Sequence, residues 1–207
     1  MTAETYAAYL LATVIVLIIP GPTIMLVVSC SLTQGRRAAL PLALGVGLGD
    51  MAAMAASLAG LGALLNTSAT LFTVLKWIGA LYLIYLGIKT WRARPELGAS
   101  MARMHDASSR SNCLRAFAVT ATNPKSIAFF CAFVPQFITQ AAPVLPQALL
   151  LGSTFVILAV VNAVLYALLA ARARKAVASQ RAMKIVNRVG GSALIGAGVL
   201  TAAMRRA

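Results

Sequence analysis

The sequence predicts an all-α integral membrane protein, with six transmembrane helices arranged as two inverted three-helix repeats and broken helices in spans one and four. Three observations carry that expectation. Sixty per cent of the 207 residues are hydrophobic and only 11% are charged, against about 25% charged in ordinary soluble domains. The apolar residues gather into six runs of membrane-spanning length, and the basic residues gather into alternate connections between them. The two halves of the chain also echo each other in order. Residues 1–207 therefore read as one transmembrane domain, with a first repeat over 6–89, a polar loop over 91–112 and a second repeat over 114–204.

A span of the ~30 Å hydrocarbon core takes roughly 17–25 apolar residues. The runs are Tyr6–Leu32, Leu40–Leu65, Leu71–Lys89, Leu114–Ile138, Pro146–Ala171 and Val186–Met204. The first is expected to be a span and not a cleavable signal: Glu4 stands where a basic segment would, and the apolar run outlasts a signal core of 7–15 residues. The stretch 91–112, rich in Arg, Ser and Gly, reads as a flexible connection.

Orientation follows from the basic residues, because basic flanks are retained in the cytoplasm. Arg36 and Arg37 follow span one. Lys89, Arg92, Arg94, Arg103, Arg110 and Arg115 surround the loop after span three. Arg172, Arg174, Lys175, Arg181, Lys184 and Arg188 follow span five. These are fourteen of the eighteen Lys and Arg, and the loops after spans two and four have none. Both termini are placed outside a cytoplasmic membrane, with Arg205 and Arg206 against the rule.

Composition also excludes. A formal net charge of +14 would suit nucleic acid if it were clustered on a polar domain, but the charges flank spans instead. One His and four acids leave little for a metallohydrolase or a carboxylate acid–base enzyme. Cys30, Cys113 and Cys131 show no paired spacing, so neither disulfides nor a structural zinc is indicated. No cofactor or metal is expected, and heavy-metal transport lacks a Cys/His/Asp cluster.

The repeat is carried by three matches. Leu40-Pro41-x-Ala43-Leu44 opens span two and Leu145-Pro146-x-Ala148-Leu149 opens span five. In spans three and six Gly79, Leu83, Ile84 and Gly87 align with Gly190, Leu194, Ile195 and Gly198. Spans one and four break at Pro20-Gly21-Pro22 and Asn123-Pro124. With three spans per half, the second copy enters from the opposite side, an arrangement that transporters use with the site near the midplane. At ~1.5 Å per residue both breaks lie near that depth. A Pro removes a backbone donor, and it is tolerated at the first position of a new helix. The free N–H groups and positive dipole end of such a half-helix suit a carboxylate. The two half-helix N-termini are expected to face each other across one cavity; the bland alternative is a pair of kinks packed against neighbours.

Asp50 and Lys125 are the ionisable residues deepest in spans, where a charge costs around 2.5–3.5 kcal/mol on the insertion scale. Asp50 follows Gly45, Gly47 and Gly49, and can hold a substrate ammonium or carry a proton. Lys125 can meet a carboxylate, or the two can form a structural ion pair. Asn162, Tyr82 and Tyr85 are pocket candidates or interhelical hydrogen-bonding groups. Lys76 can snorkel to headgroups, and Trp77 and Trp91 fit an aromatic belt. His105 lies in the polar loop with no second ligand near it and is assigned no role.

PGPTIMLVVSCSLTQGRRAAL from Pro20, GVGLGD from Gly45, LKWIGALYLIYLGIKTWRAR from Leu75 and TATNPKSIAFFCAFVPQFI from Thr120 together resemble the LysE/RhtB family of amino-acid exporters, over roughly Tyr6 to Met204. The resemblance implies a cytoplasmic-membrane protein that expels amino acids or small derivatives, such as lysine, arginine, homoserine, homoserine lactone or threonine, by proton exchange. Gly21 and Pro22, with Pro20, match the span-one signature. Asn123, Pro124 and Lys125 match that of span four, and Asp50 falls where acids often occur in span two. Thr23 stands where the family commonly has Asn. The partners implied are a small amino-acid substrate, protons and lipids, with self-association open. Two other classes compete: a membrane thiol-redox carrier using Cys30 and Cys131, and a sensory or structural membrane protein without transport.

Overall fold

The computed structural model describes residues 1–65, 69–92, 108–139 and 141–172, together with isolated helical positions between 185 and 203. The remainder of the 91–112 loop with His105, most of the last basic loop, Gly190 and Leu194, and the side chains of Lys76, Gly79 and Leu83 lie outside the described residues. Among those described, all regular structure is helical. The helices are α1 (Ala3–Ile18), α2 (Pro22–Gln34), α3 (Ala39–Leu65), α4 (Ala69–Arg92), α5 (Ser109–Ala121), α6 (Pro124–Ala128) and α7 (Val144–Arg172).

Local chemistry sets the starts. Thr2 caps α1 by accepting from the Thr5 amide at 3.2 Å, and Ser108 caps α5 by accepting from the Ser111 amide at 3.2 Å. Both hydroxyls satisfy an amide that the first helical turn leaves open. Pro22 and Pro124 begin α2 and α6, positions whose missing N–H costs nothing. α6 passes into a π-helical turn over Phe129–Phe133 and a 3₁₀ turn over Val134–Phe137, and α5 meets this segment at a 41° bend.

Helical hydrogen bonding continues from α2 through a 3₁₀ turn at Gly35–Ala38 into α3, yet the chain reverses there. Tyr166 on α7 bonds the Ile18 carbonyl, just before α2, and Val160, six residues earlier on α7, meets Gly47 on α3. A straight helix from Pro22 to Gly47 would span about 37 Å, whereas six residues of α7 cover about 9 Å. Gly35 makes the reversal with φ 72°, a left-handed conformation that other residues adopt at a cost. Arg36 and Arg37 sit at this turn.

Packing follows membrane rules. On α7 the buried positions include Ala159, Ala163, Ala167 and Ala170, while Ile157, Val161, Leu165 and Leu169 are exposed. Small residues face the neighbouring helices and large branched ones face outward, as expected where lipid gives no premium to burying leucine. Gly45 and Gly49 bring α3 against α5: a Cβ on Gly45 would strike the Cys113 carbonyl, and one on Gly49 would lie 2.6 Å from Thr120 Cβ. The order of those partners makes α3 and α5 parallel. Gly47 meets Val160 and Gly152 meets Met54, so α3 and α7 are antiparallel. Gly87 meets Gly191 and Ile195, and Gly198 meets Ala80 and Ile84, so α4 runs antiparallel to the last helical segment. Arg188 stacks over Trp91, 5.5 Å from the ring centroid.

Among the described residues, the helical run 22–60, whose part beyond the reversal is the 27-residue α3, and Val144–Arg172 are long and apolar enough by length and composition to cross a membrane, and α5 with the segment to Phe137 adds a third when the bent pair is counted as one. α1 has 16 residues, about 24 Å of helix, and falls short on its own. An aromatic cluster fills the space between α1, α7 and the π turn. Phe129 stacks on Phe133 at 4.9 Å, Phe130 meets Phe155 edge-on at 4.7 Å, and Tyr9 meets Phe137 at 5.3 Å. Each such pair is worth about 0.5–1.5 kcal/mol beyond its burial.

Candidate functional site

α1 stops at Ile18 and α2 starts at Pro22; α5 stops at Ala121 and α6 starts at Pro124. The fold brings these two interruptions into contact. Asn123 Nδ2 donates to Thr23 Oγ1 at 3.0 Å, and Thr23 Oγ1 lies 3.2 Å from Thr120 Oγ1. Asn123 Oδ1 accepts from the Lys125 amide at 3.0 Å, which caps α6. Thr23, Thr120, Asn123, Lys125 and Ser126 are all buried. The two helix starts are thus joined by side chains, where the sequence led to an open cavity between them. The start of α2 differs from that of α6, since its N-cap is Gly21 and no side chain caps it.

The end of α1 explains Lys125 and Asn162. A helix leaves its last four carbonyls without amide partners, and inside a membrane water cannot supply them. Lys125 Nζ donates to Ile19 O at 2.8 Å and to Val16 O at 3.1 Å. Asn162 Nδ2 donates to Leu17 O at 2.9 Å, and the Tyr166 hydroxyl to Ile18 O at 2.7 Å. Four consecutive carbonyls are matched by three side chains. The positive Lys125 ammonium also faces the negative end of the α1 dipole. Its stem passes Gly21, where a Cβ would lie 3.5 Å from Lys125 Cε.

Asp50 is 3% exposed. The Ser126 hydroxyl and the Lys125 ammonium both act on its carboxyl group, while its Oδ1 has no hydrogen-bond partner. The hydrogen bonds of Lys125 go to carbonyls instead of to this carboxylate. A structural ion pair was one sequence expectation; the geometry holds the two charges as neighbours, with an unmatched oxygen on Asp50. Asp50 shares a face of α3 with Ala53 and Ser57, at helical spacings of three and seven. Those two residues, with Ala52, Ala56, Ala121, Ile127 and Cys131, line a groove of about 440 Å³.

Of the residues expected to bind substrate or couple transport, Gly21, Pro22, Thr23, Asp50, Asn123, Pro124, Lys125 and Asn162 gather here, whereas Tyr82 and Tyr85 pair with each other on α4, ring centroids 6.0 Å apart. Sequence reasoning missed Thr120, Ser126 and Tyr166. Two of these lay in view: Thr120 opens the TATNPK motif, and Tyr166 falls one helical turn after Asn162. No disulfide joins Cys30, Cys113 and Cys131; Cys30 is buried in the hydrophobic core, and Cys131 lines the groove. Among the described residues no group of three His, Cys, Asp or Glu converges as a metal site would require.

Helices that expose branched side chains, contacts made by glycine, and buried polar groups where two helices are interrupted define a membrane-embedded helical protein with a polar centre. The chain belongs to the LysE type translocator family, whose family model matches residues 14–205. It is 37% identical over 210 residues to the homoserine/homoserine lactone efflux protein of Salmonella typhimurium, covering all of both chains. It is 36% identical over the same length to the protein of that name in Salmonella typhi. A membrane protein of Vibrio cholerae is 36% identical over 202 residues, 98% of each chain. No solved structure matches the chain.

Proposed function

We propose that this protein is a secondary active exporter of amino acids or small amino-acid derivatives across the cytoplasmic membrane, coupled to protons. The observation that carries the reading is the meeting of the two helix interruptions, Thr23 to Asn123 and Thr120, beside a buried carboxylate with an unpartnered oxygen. A charge in a span is costly and defaults to function. Gly21, Pro22, Thr23, Asn123, Pro124, Lys125 and Asn162 surround the substrate, and Asp50 carries the proton or holds the substrate ammonium. The groove beside Asp50, with small apolar walls, is the path from this centre. Full-length likeness to two homoserine/homoserine lactone efflux proteins favours a substrate of that size. A chain with this role is a transporter and not an enzyme.

The same reading has six spans as two inverted repeats, with α1–α2 and α5–α6 as the broken first and fourth spans and both termini outside. The helix directions support it: an alternating six-span chain has spans two and four parallel, two and five antiparallel, and three and six antiparallel. Those are the relations of α3 with α5, α3 with α7, and α4 with the final segment. The test is a panel of labelled amino acids, with homoserine and homoserine lactone included, offered to inverted membrane vesicles with and without a pH gradient. Gradient-dependent accumulation of at least one amino compound is expected. Accumulation of none would favour a sensory role.

A further inference from the structure

We propose that the carbonyls of Val16 and Ile19, with the Asp50 carboxylate nearby, form a site for a small monovalent cation or primary ammonium, and that the Lys125 ammonium is its tethered occupant. The carbonyl end of a helix carries about half a negative charge, and interrupted helices in transporters use such ends to coordinate free cations. Here Asn162 and Tyr166 take the carbonyls of Leu17 and Ile18, which leaves those of Val16 and Ile19 to converge on one point. Lys125 Nζ occupies that point at 3.1 and 2.8 Å. An ammonium has three N–H donors, so one remains beyond the two carbonyls. The Asp50 carboxylate, 3% exposed and with Oδ1 unpartnered, is within electrostatic reach of the Lys125 ammonium and adds negative charge to its surroundings. The charge that a bound alkali ion would bring is supplied by the chain itself, so the protein needs no inorganic cation to hold α1 against α6.

This inference is independent of which solute is exported, and its test reads stability instead of transport. The full-length protein, Lys125→Ala and Lys125→Met are extracted and melted in sodium, potassium, methylammonium or choline chloride at equal ionic strength. Lys125→Ala vacates the site, so it should melt below the wild type in choline. Methylammonium, or whichever alkali ion fits, should raise it by about 2–4 °C or more. The wild type should not respond. Lys125→Met fills the volume without donors and should stay low in every salt. The proposal is overturned if Lys125→Ala melts identically in all four salts, or if it fails to fold even when extracted in methylammonium. It is equally overturned if Lys125→Met melts with the wild type, since the carbonyls would then need no cation.

Discussion

At Asp50 one side chain combines deep burial, a hydroxyl neighbour in Ser126, a cationic neighbour in Lys125 and an oxygen with no partner. In the function proposed above, this carboxylate takes up a proton or the substrate ammonium. Asp50→Asn keeps the shape and removes the charge. If Asp50 carries the proton, the variant should lose gradient-driven export and retain part of downhill exchange. If Asp50 holds the ammonium, exchange itself should weaken roughly ten- to hundredfold, the equivalent of a charge-assisted hydrogen bond of about 1.5–3 kcal/mol. Side-by-side measurement in vesicles of matched protein content separates the two, and wild-type gradient-driven export by the variant would remove Asp50 from both roles. Asp50 and Lys125 were legible in the sequence because charges are rare in spans. Ser126 was not, and Thr120 and Tyr166 were marked only by their places in the TATNPK motif and one turn after Asn162, because hydroxyls are common in spans and acquire a role only from what they meet. The partners of Lys125 were illegible for a similar reason: backbone carbonyls leave no mark in a sequence.

Among the elements, α3 has the most demanding contacts. Gly45 and Gly49, one turn apart, place its backbone against that of α5, and Gly60 has nothing within 4 Å of a built Cβ. Gly49→Leu must therefore push α5 away at Thr120, the residue bonded to Thr23. Overpacking of this kind costs typically 1–3 kcal/mol, which for a chain of this size lowers the melting temperature by roughly 2–12 °C. Gly60→Ala should melt like the wild type. Equal melting of the Gly49 variant would contradict the close α3–α5 approach. The starts of α2 and α6 were readable because Pro and Asn state their positions chemically. The π turn at Phe129–Phe133 was not, since Phe129 meets Tyr9 and Phe155 only through the tertiary fold. The reversal at Gly35 was half readable: Gly-Arg-Arg marks a turn, but helical hydrogen bonding continues through it.

For the whole molecule, the composition and the six apolar runs pointed to a helical membrane protein, and family membership agrees. The arrangement of the two halves is the finer expectation, and it has a direct consequence for sidedness. Reporter fusions should place Arg37 and Ser108 in the cytoplasm and Met1 and Ala142 outside. A cytoplasmic Met1 with an external Arg37 would reverse the orientation proposed here. The central claim is narrower: the junction of the two helix interruptions is where substrate sits. Thr23→Val tests it with little change in volume, because it removes the hydroxyl that joins Asn123 to Thr120 and leaves helix starts intact. The decisive measurement is counterflow of labelled homoserine and homoserine lactone in vesicles reconstituted with equal amounts of folded wild type and Thr23→Val. The account predicts saturable counterflow of at least one of them by the wild type, and a loss of tenfold or more in the variant. Wild-type counterflow in Thr23→Val, or none in the wild type, would contradict it.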